Sequence, residues 1–439
     1  MDPFTSTAIA VAALFFLLAV RMPIALALAL LSCIGIAILR SPRAAWSSMA
    51  SIPYDFAAHW SLSAIPMFLL MGALAHRGGL TSTLFEAAKI WLSRLPGGLA
   101  VATNVATAMF ASASGSSIAT TAAMSRLAAP EMLRAGYSPS LATSVIAASG
   151  TIGALIPPSI AFVIYGWYTE QPIGELLIAG IIPGLLTALC YIAIIIGRVL
   201  LNPEIAPRVD TRYSWREKFA VLGKIWPVPL LILTVIGSIF TGFATATESA
   251  ALGSIATLLL CLLRGTLNFS VIRDSLLDAL KSSATIFFIA LGAALFTKFI
   301  AITGLPAEVG TLIVELDPDP LVIILIMIGM YLVLGMFLDP IGIMLITLPI
   351  LLPVFTALDM NLIWVGVLVV KMIEIGLLTP PVGLNVFVVK SVLGDQIALM
   401  DIFKGVTWFL LAEVVIMALL ITFPELSVNR RVKRCQIAA

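Results

Sequence analysis

Two stretches of this sequence decide the fold: Ile152–Pro158, which reads IGALIPP, and Ile375–Pro381, which reads IGLLTPP. Each interrupts a long apolar segment with a glycine followed by a pair of prolines. Proline has no backbone N–H and its ring clashes with the preceding turn, so neither stretch fits inside an unbroken α-helix. The register between them is constant, since 375 − 152 = 223 and 380 − 157 = 223. The pattern predicts two copies of one unit, each with a broken helix.

The composition is that of a polytopic membrane protein. Of 439 residues, 61% are hydrophobic and only 11% are charged, and the mean hydropathy is +1.11. A soluble domain is roughly half apolar and about a quarter charged. In lipid, backbone groups freed by a helix break must be satisfied by protein or by a watery cavity. Matched breaks in two halves therefore point to the binding site of a transporter.

Other classes of function are not indicated. The net charge of +2 comes with no long basic stretch, so we expect no nucleic-acid partner. The four cysteines are scattered and the two histidines are too few for a transition-metal centre. The sequence has no P-loop for ATP and no pairing of nucleophile with base, so we predict that the chain is not an enzyme.

The apolar runs repeat in order, with five spans and one re-entrant hairpin in each half. An odd number of spans per repeat inverts the second copy in the membrane. The predicted fold class is therefore an all-α polytopic membrane protein with inverted repeats. Its parts are a first repeat at 1–201 (hairpin about 99–128, broken helix about 141–165), a polar linker at 202–224, a second repeat at 225–424 (hairpin about 320–357, broken helix about 362–389) and a basic tail at 425–439.

The loops suggest an orientation. Most basic residues, from Arg21 and Arg77 to Lys281, fall on one side of the predicted spans, and acids such as Glu170 and Glu308 fall on the other. The positive-inside rule makes the basic side cytoplasmic. The basic run Arg430–Arg434 then falls outside under a count of ten spans, so the side of the C-terminus stays open.

The first hairpin tip, 112–117, is rich in serine and faces the first helix break. Its hydroxyls, with Gly153 and the carbonyls before Pro157, suit a weakly held monovalent cation better than Ca²⁺ or a transition metal. Half-helix C-termini offer carbonyls to the cation, and N-termini offer amides to a carboxylate. The alternative is a purely structural role, in which these small residues only allow close helix packing. The equivalent groups in the second half are Gly335, Asp339, Gly376 and Thr379.

The few acids near the breaks have open roles. Asp339 is a lone acid between apolar runs, which marks a functional site, but it also fits a cap before Pro340. Glu248 follows Thr245 by three residues, which predicts a capping box, with a role in coupling as the alternative. Lys371 and Glu374 share one helical face and predict an internal pair.

Several motifs together resemble one family: the large membrane subunit, DctM type, of tripartite ATP-independent periplasmic (TRAP) transporters. The resemblance covers essentially the whole chain in the right order. It departs at Ala246 and Ser249, where the family pattern has Pro and Ala. The motifs are Phe110–Ala123, Gly150–Ser159 (GTIGALIPPS), Ala244–Ala251 (ATATESAA), Gly335–Pro353 and Leu378–Asn385 (LTPPVGLN).

The resemblance implies an elevator-type, sodium-driven importer of organic acids in the bacterial inner membrane. It also implies two partners, a small four-helix membrane subunit (DctQ type) and a periplasmic substrate-binding protein (DctP type). Sodium would be held at two sites, and substrate would lie between the hairpin tips. The implied sodium ligands are Ser112, Ser114, Gly153, Ile156 and Pro157 at one site and Gly335, Gly376, Thr379 and Val382 at the other, and the substrate contacts are Ser116, Ser117, Asp339 and Asn385.

Two other functions remain as alternatives. A stand-alone ion-coupled carboxylate transporter would need no binding protein, but such carriers carry Ser-Asn-Thr at both hairpins and that tripeptide does not occur here. A channel or a purely structural membrane subunit would not require matched helix breaks.

Overall fold

The computed structural model describes residues 3–207, 213–316 and 318–428, and every regular element in these ranges is a helix. The all-α prediction is confirmed. Five helices are long and apolar enough to cross a membrane, or seven if two bent pairs are each one span, counting only these ranges. The basic run Arg430–Arg434, most of the predicted tail and residues 208–212 of the predicted linker lie outside the described residues.

The first half begins with two apolar helices of 17 and 16 residues and ends with the long segment Ile173–Leu201. Its helices are α1 (Pro3–Ala19), α2 (Ile24–Leu39), α3 (Pro42–Ala58), α4 (Ala64–Arg77), α5 (Leu80–Leu92), α6 (Gly98–Ser114), α7 (Ser117–Leu127), α8 (Ala129–Arg134), α9 (Pro139–Gly150), α10 (Ile160–Thr169), α11 (Ile173–Ala179) and α12 (Ile181–Leu201).

The second half follows the same order. Its helices are α13 (Trp215–Ile225), α14 (Pro227–Phe240), α15 (Ala246–Leu263), α16 (Phe269–Thr303), α17 (Leu305–Leu316), α18 (Pro320–Gly335), α19 (Pro340–Ala357), α20 (Leu362–Gly376), α21 (Leu384–Leu393) and α22 (Leu399–Thr422).

The offset of 223 relates the helices of the two halves one by one. Moving α9 by 223 gives 362–373, and α20 occupies Leu362–Gly376. Moving α7 gives 340–350, and α19 begins at Pro340. The same shift matches α10 with α21, and α2 with α15. The repeated hairpin and broken helix are therefore present in both halves at equivalent positions.

One boundary differs from the sequence expectation. The polar pattern of residues 264–281 and the apolar run 285–300 predict an interfacial segment followed by a separate span, but α16 is a single helix of 35 residues. In the first half the equivalent pair is bent by 62° between Ala58 and Trp60. The cause is local sequence: residues 269–303 contain no proline, whereas Pro53 and Pro66 flank the first-half bend.

Part of the predicted polar linker forms a helix, α13. Ser214 and Glu217 form a capping box that starts α13. Trp91 of α5 donates a hydrogen bond from Nε1 to the carbonyl of Lys218 at 3.1 Å and lies edge-on to Trp215. The end of the linker is therefore a helix that packs on the first half.

The helices form two packed groups, and the hairpins pack on helices of the second while also contacting α4, α5, α16 and α17. In the first group, α16 packs along α2 and α4, and α15 packs along α4. In the second group, α22 packs on α9, α21 packs on α7 and α9, and α18 packs on α20. The second group therefore mixes both halves, because helices after the second break lie against helices before the first.

Candidate ion and substrate site

The tip of the first hairpin is a tight turn between α6 and α7. Gly115 adopts a left-handed conformation with φ +66°, and a Cβ there would lie 2.8 Å from the carbonyl oxygen of Pro158. Ile160 N donates to the carbonyl oxygen of Gly115 at 3.2 Å. Glycine is required by both the backbone angle and the close approach. The tip is therefore fixed against the first helix break.

The first break presents backbone atoms to this tip. The chain forms a 3-10 turn at Thr151–Ala154, and the peptide bond between Pro157 and Pro158 is cis. A Cβ on Gly153 would lie 3.0 Å from Thr120 Oγ1 and 3.1 Å from the Ser116 carbonyl oxygen. The sequence prediction that Gly153 faces the hairpin tip is confirmed as a contact.

The serines of the tip lie near one another but make different bonds. Ser112 Oγ donates to the carbonyl of Met109 at 2.6 Å. Ser114 Oγ lies 2.5 Å from Thr120 Oγ1, and Ser116 caps α7 by accepting from Ala119 N. Ile156 and Pro157 are buried at the break. Ser114, Thr120 and the Ser116 carbonyl therefore lie at the junction with Gly153, whereas Ser112 bonds within α6 before the tip.

The second junction is built on two glycines. Gly335 at the end of α18 and Gly376 at the end of α20 touch, since a Cβ on either would lie 2.6 Å from the Cα of the other. Thr379 Oγ1 donates to the carbonyl of Ile375 at 2.8 Å, and Val382 is half-buried. The structure therefore brings together Gly335 and Gly376, the two glycines named for the second junction.

Asp339 caps the second hairpin. Its Oδ2 accepts from Gly342 N at 2.9 Å, and α19 starts at Pro340. Ser116 is its equivalent at the offset of 223, because it caps α7 through Ala119 N. Of the two roles considered for Asp339, the cap is confirmed.

The donor set fits a small monovalent cation. The groups at both junctions are hydroxyl and carbonyl oxygens, and no cluster of three or more His, Cys, Asp or Glu suited to a metal occurs among the described residues. Oxygen ligands of low total charge suit Na⁺ rather than a divalent or transition metal.

A cavity of about 390 Å³ reaches the first tip from outside the second group of helices. Ser114 and Ala119 line it on the hairpin side, and Gly72, His76 and Lys281 line it on the side of α4 and α16. A second cavity of about 950 Å³ lies at the opposite side, lined by His59, Glu170 and Thr297 among others. The first cavity therefore borders the first hairpin at Ser114 and Ala119.

The model of one protein family matches residues 11–426: tripartite ATP-independent periplasmic transporter, DctM component. The chain belongs to this family. It is 36% identical over 351 residues to the C4-dicarboxylate TRAP transporter large permease protein DctM of Pseudomonas aeruginosa, covering 79% of this chain and 81% of that protein. It is 31% identical to the sialic acid TRAP transporter large permease protein SiaM of Vibrio cholerae, covering 84% and 85%.

A solved structure has the same general fold. The YdaH transporter of Alcanivorax borkumensis superposes with a TM-score of 0.64 over 88% of this chain and 89% of that one, at 16% sequence identity. The likeness shows that this TRAP permease shares its overall fold with that protein. The chain is thus a multi-pass membrane protein and a transporter subunit.

One buried group of this permease was not predicted from the sequence. Lys371 Nζ lies 2.7 Å from both carboxylate oxygens of Glu413 and donates to Thr187 Oγ1 at 2.9 Å. Tyr191 also donates to Glu413. The predicted pair of Lys371 with Glu374 is wrong, because the ammonium group of Lys371 is bonded to Glu413 of α22 instead. The available signal was Glu413 itself, the one charged residue in the apolar stretch 406–422 of α22, because a charge in lipid needs a partner.

Two other predicted residues have clear surroundings. Glu248 forms the expected capping box, since Thr245 N donates to Glu248 Oε2 at 2.8 Å. Asn385, expected at the substrate, is fully buried and donates from Nδ2 to the carbonyl of Ala147 at 3.4 Å. Ser117 is buried too and donates to Glu374 Oε1 at 3.0 Å.

Proposed function

We propose that this permease imports an organic acid across the bacterial inner membrane, driven by a sodium gradient and by an elevator motion. The observation that carries the proposal is the pair of junctions where each hairpin tip meets a broken helix. The close contacts at Gly115 and between Gly335 and Gly376 define them. Paired broken elements in inverted repeats form the substrate and ion sites of many secondary transporters.

Each junction would hold one sodium ion through its own oxygens. The first offers Ser112 and Ser114 hydroxyls with the backbone at Gly153, Ile156 and Pro157. The second offers Thr379 and the backbone at Gly335, Gly376 and Val382. A bound ion would supply the positive charge that fixes the hairpin tip in place. The hydroxyls of Ser114 at the first hairpin tip and of Thr379 at the second break are each held by a hydrogen bond.

The substrate carboxylate would lie between the tips, near the N-termini of α7 and α19. Helix N-termini carry free amides and a partial positive charge, which favour an anion. Ser116 and Asp339 cap these two helices and are half-buried, so they shape the surface that the substrate meets. In the structure, Ser117 and Asn385 lie behind this surface, bonded to protein.

Two partners complete the transporter in this proposal. A periplasmic binding protein would deliver the acid, and a small four-helix membrane subunit would support the helices that stay fixed in the bilayer. The relatives are named for C4-dicarboxylate and sialic acid transport. The substrate class proposed for this chain is accordingly a carboxylic acid, with its identity chosen largely by the binding protein.

Reconstituted uptake tests the proposal. The permease, its small subunit and its binding protein are placed in proteoliposomes, and uptake of labelled dicarboxylates and sialic acid is measured with sodium or choline outside. We expect uptake only with both sodium and the binding protein. Uptake without sodium would overturn the coupling, and uptake without the binding protein would favour the stand-alone carrier.

Substitution of the ion ligands tests the site. Ser114→Ala and Thr379→Val each remove one oxygen, and we expect the half-saturating sodium concentration to rise roughly tenfold, equivalent to about 1.4 kcal/mol. Ser125→Ala is the matched control, because this buried hydroxyl is satisfied by the carbonyl of Thr121 in its own helix. An unchanged sodium response in both variants would refute the assignment.

A further inference from the structure

Three buried oxygen atoms near the first hairpin have no hydrogen-bond partner. They are Oε2 of Glu374, Oγ1 of Thr121 and Oδ1 of Asn385. Glu374 is 1% exposed, and the other two residues are 0% exposed. Buried polar atoms in proteins nearly always have a partner, and each exception requires an explanation. These three belong to different helices of the same packed group, α20, α7 and α21.

Shared contacts place the three oxygens in one region. Ser117 Oγ donates to the other carboxylate oxygen of Glu374, and Thr121 follows Ser117 by one turn on the same face of α7. A Cβ on Gly150 would lie 1.8 Å from Thr121 Oγ1. Ala147, one turn earlier in α9, accepts from the Asn385 amide. Thr121 and Asn385 therefore both contact the end of α9, and α21 packs on α7 as well as on α9. Ser117 connects α7 to Glu374.

The charge in this region is unbalanced. Lys371 is the nearest cation along α20, but its ammonium group is already bonded to Glu413 and Thr187. Two buried carboxylates thus share one buried lysine. A buried carboxylate without a cation is strongly unfavourable. The Glu374 carboxylate is consequently a group that a small cation would stabilise.

We propose that Glu374, Thr121 and Asn385 bind a monovalent cation of the sodium class, at a site separate from the two junctions. A carboxylate, a hydroxyl and an amide carbonyl are hard oxygen ligands of the kind that such an ion takes. The ion would join the first hairpin to α20 and α21 of the second half. The site rests on the proposed sodium coupling for the identity of its ion and on the three unpartnered oxygens for its position.

The test uses thermal unfolding of the purified full chain in sodium chloride and in choline chloride. Thr121→Val keeps the shape of the side chain and removes its unpartnered oxygen. In choline chloride we expect this variant to unfold at the same temperature as the wild type or higher, since it no longer buries an unsatisfied group. With sodium, half-maximal stabilisation should need about tenfold more salt. Glu374→Gln should weaken the sodium response at least as much.

Thr143→Val is the control for the substitution itself. Thr143 is a buried threonine in α9 whose hydroxyl already donates to the carbonyl of Pro139 at 2.7 Å. This variant should keep the full sodium response, so a loss common to Thr121→Val and Thr143→Val would overturn the site.

Two further outcomes separate this site from the proposed function. If Thr121→Val and Glu374→Gln keep the wild-type sodium response while Ser114→Ala and Thr379→Val lose theirs, the third site is wrong and sodium coupling stands. If Glu374→Gln removes only a response to acidification in choline chloride, the carboxyl holds a proton and the cation site is wrong. If uptake proves independent of sodium while both variants still lose sodium-induced stabilisation, the coupling is wrong and the site stands.

Discussion

At the scale of single residues, Lys371 and Glu413 form the one ion pair of the described residues in which both side chains are fully buried. The two side chains are 0% and 1% exposed, and Thr187 and Tyr191 complete their hydrogen bonds. Such a pair adds little net stability compared with apolar residues, but breaking it leaves one charge buried alone. Its value here lies in joining α20, α12 and α22.

Lys371→Met tests this reasoning. Glu413 would lose its ammonium partner in an apolar interior, and we expect a loss of about 3–5 kcal/mol in the free energy of unfolding. The double variant Lys371→Met with Glu413→Gln removes both charges and should recover most of the loss. Unfolding midpoints of the solubilised protein measure both. A double variant as unstable as the single one would show that packing, rather than unpaired charge, is responsible.

At the scale of elements, the returning helix of each hairpin begins with a side-chain N-cap, formed by a different residue in each half. Ser116 and Asp339 occupy equivalent positions, each capping the returning helix of its hairpin through the backbone N–H three residues later. Serine and aspartate are both strong N-caps, so the repeat tolerates either. What differs is charge, because only the second tip carries an acid.

Substitutions at Asp339 separate the cap from the charge. Asparagine caps a helix about as well as aspartate, so Asp339→Asn should leave the unfolding midpoint and the uptake rate close to the wild type. Asp339→Ala should lose about 1 kcal/mol of stability. Unfolding and uptake assays on the same preparations give both quantities. Loss of uptake by a normally folded Asp339→Asn protein would instead assign the carboxylate charge a direct part in transport.

At the scale of the whole molecule, the two groups of helices meet closely at the first hairpin. Gly72 of α4 faces the tip, where a Cβ would lie 2.9 Å from the carbonyl oxygen of Ala113 and 3.0 Å from the Cα of Ser114. These neighbours are backbone atoms, which cannot rotate out of the way. Gly72 is thus a point of close backbone packing between α4 and the first hairpin.

Gly72→Ala tests the importance of this close contact. The added methyl group should push the hairpin away from α4, and we expect sodium-driven uptake to fall several-fold while the protein still folds. Gly237→Ala in α14 is the matched control, because a Cβ there meets nothing within 4 Å and alanine favours the helix. Uptake measured in proteoliposomes, with unfolding midpoints alongside, distinguishes the two. Equal uptake by both variants would contradict a close, functional contact at Gly72.

Much of this architecture is set by local sequence. The Pro-Pro pairs at 157–158 and 380–381, the glycines before them and the caps at Ser116, Asp339 and Thr245 act within a few residues. Proline and N-cap chemistry are local, so their effects can be predicted without knowing the fold. The offset of 223 then relates the Pro-Pro pairs and the hairpin caps Ser116 and Asp339 of the two halves.

The sequence by itself therefore determined the helix breaks, the two hairpins and the membership of an inverted-repeat membrane fold. Only the tertiary structure decided which distant side chains meet. Glu413 reaches Lys371 across 42 positions, Ser117 reaches Glu374 across 257, and neither contact has a periodic signal. Glu374 was expected to pair with Lys371 one turn away, because neighbours on a helix are all that a linear pattern reveals. Packing overrides that preference, since a buried charge bonds to whichever partner the folded helices place closest.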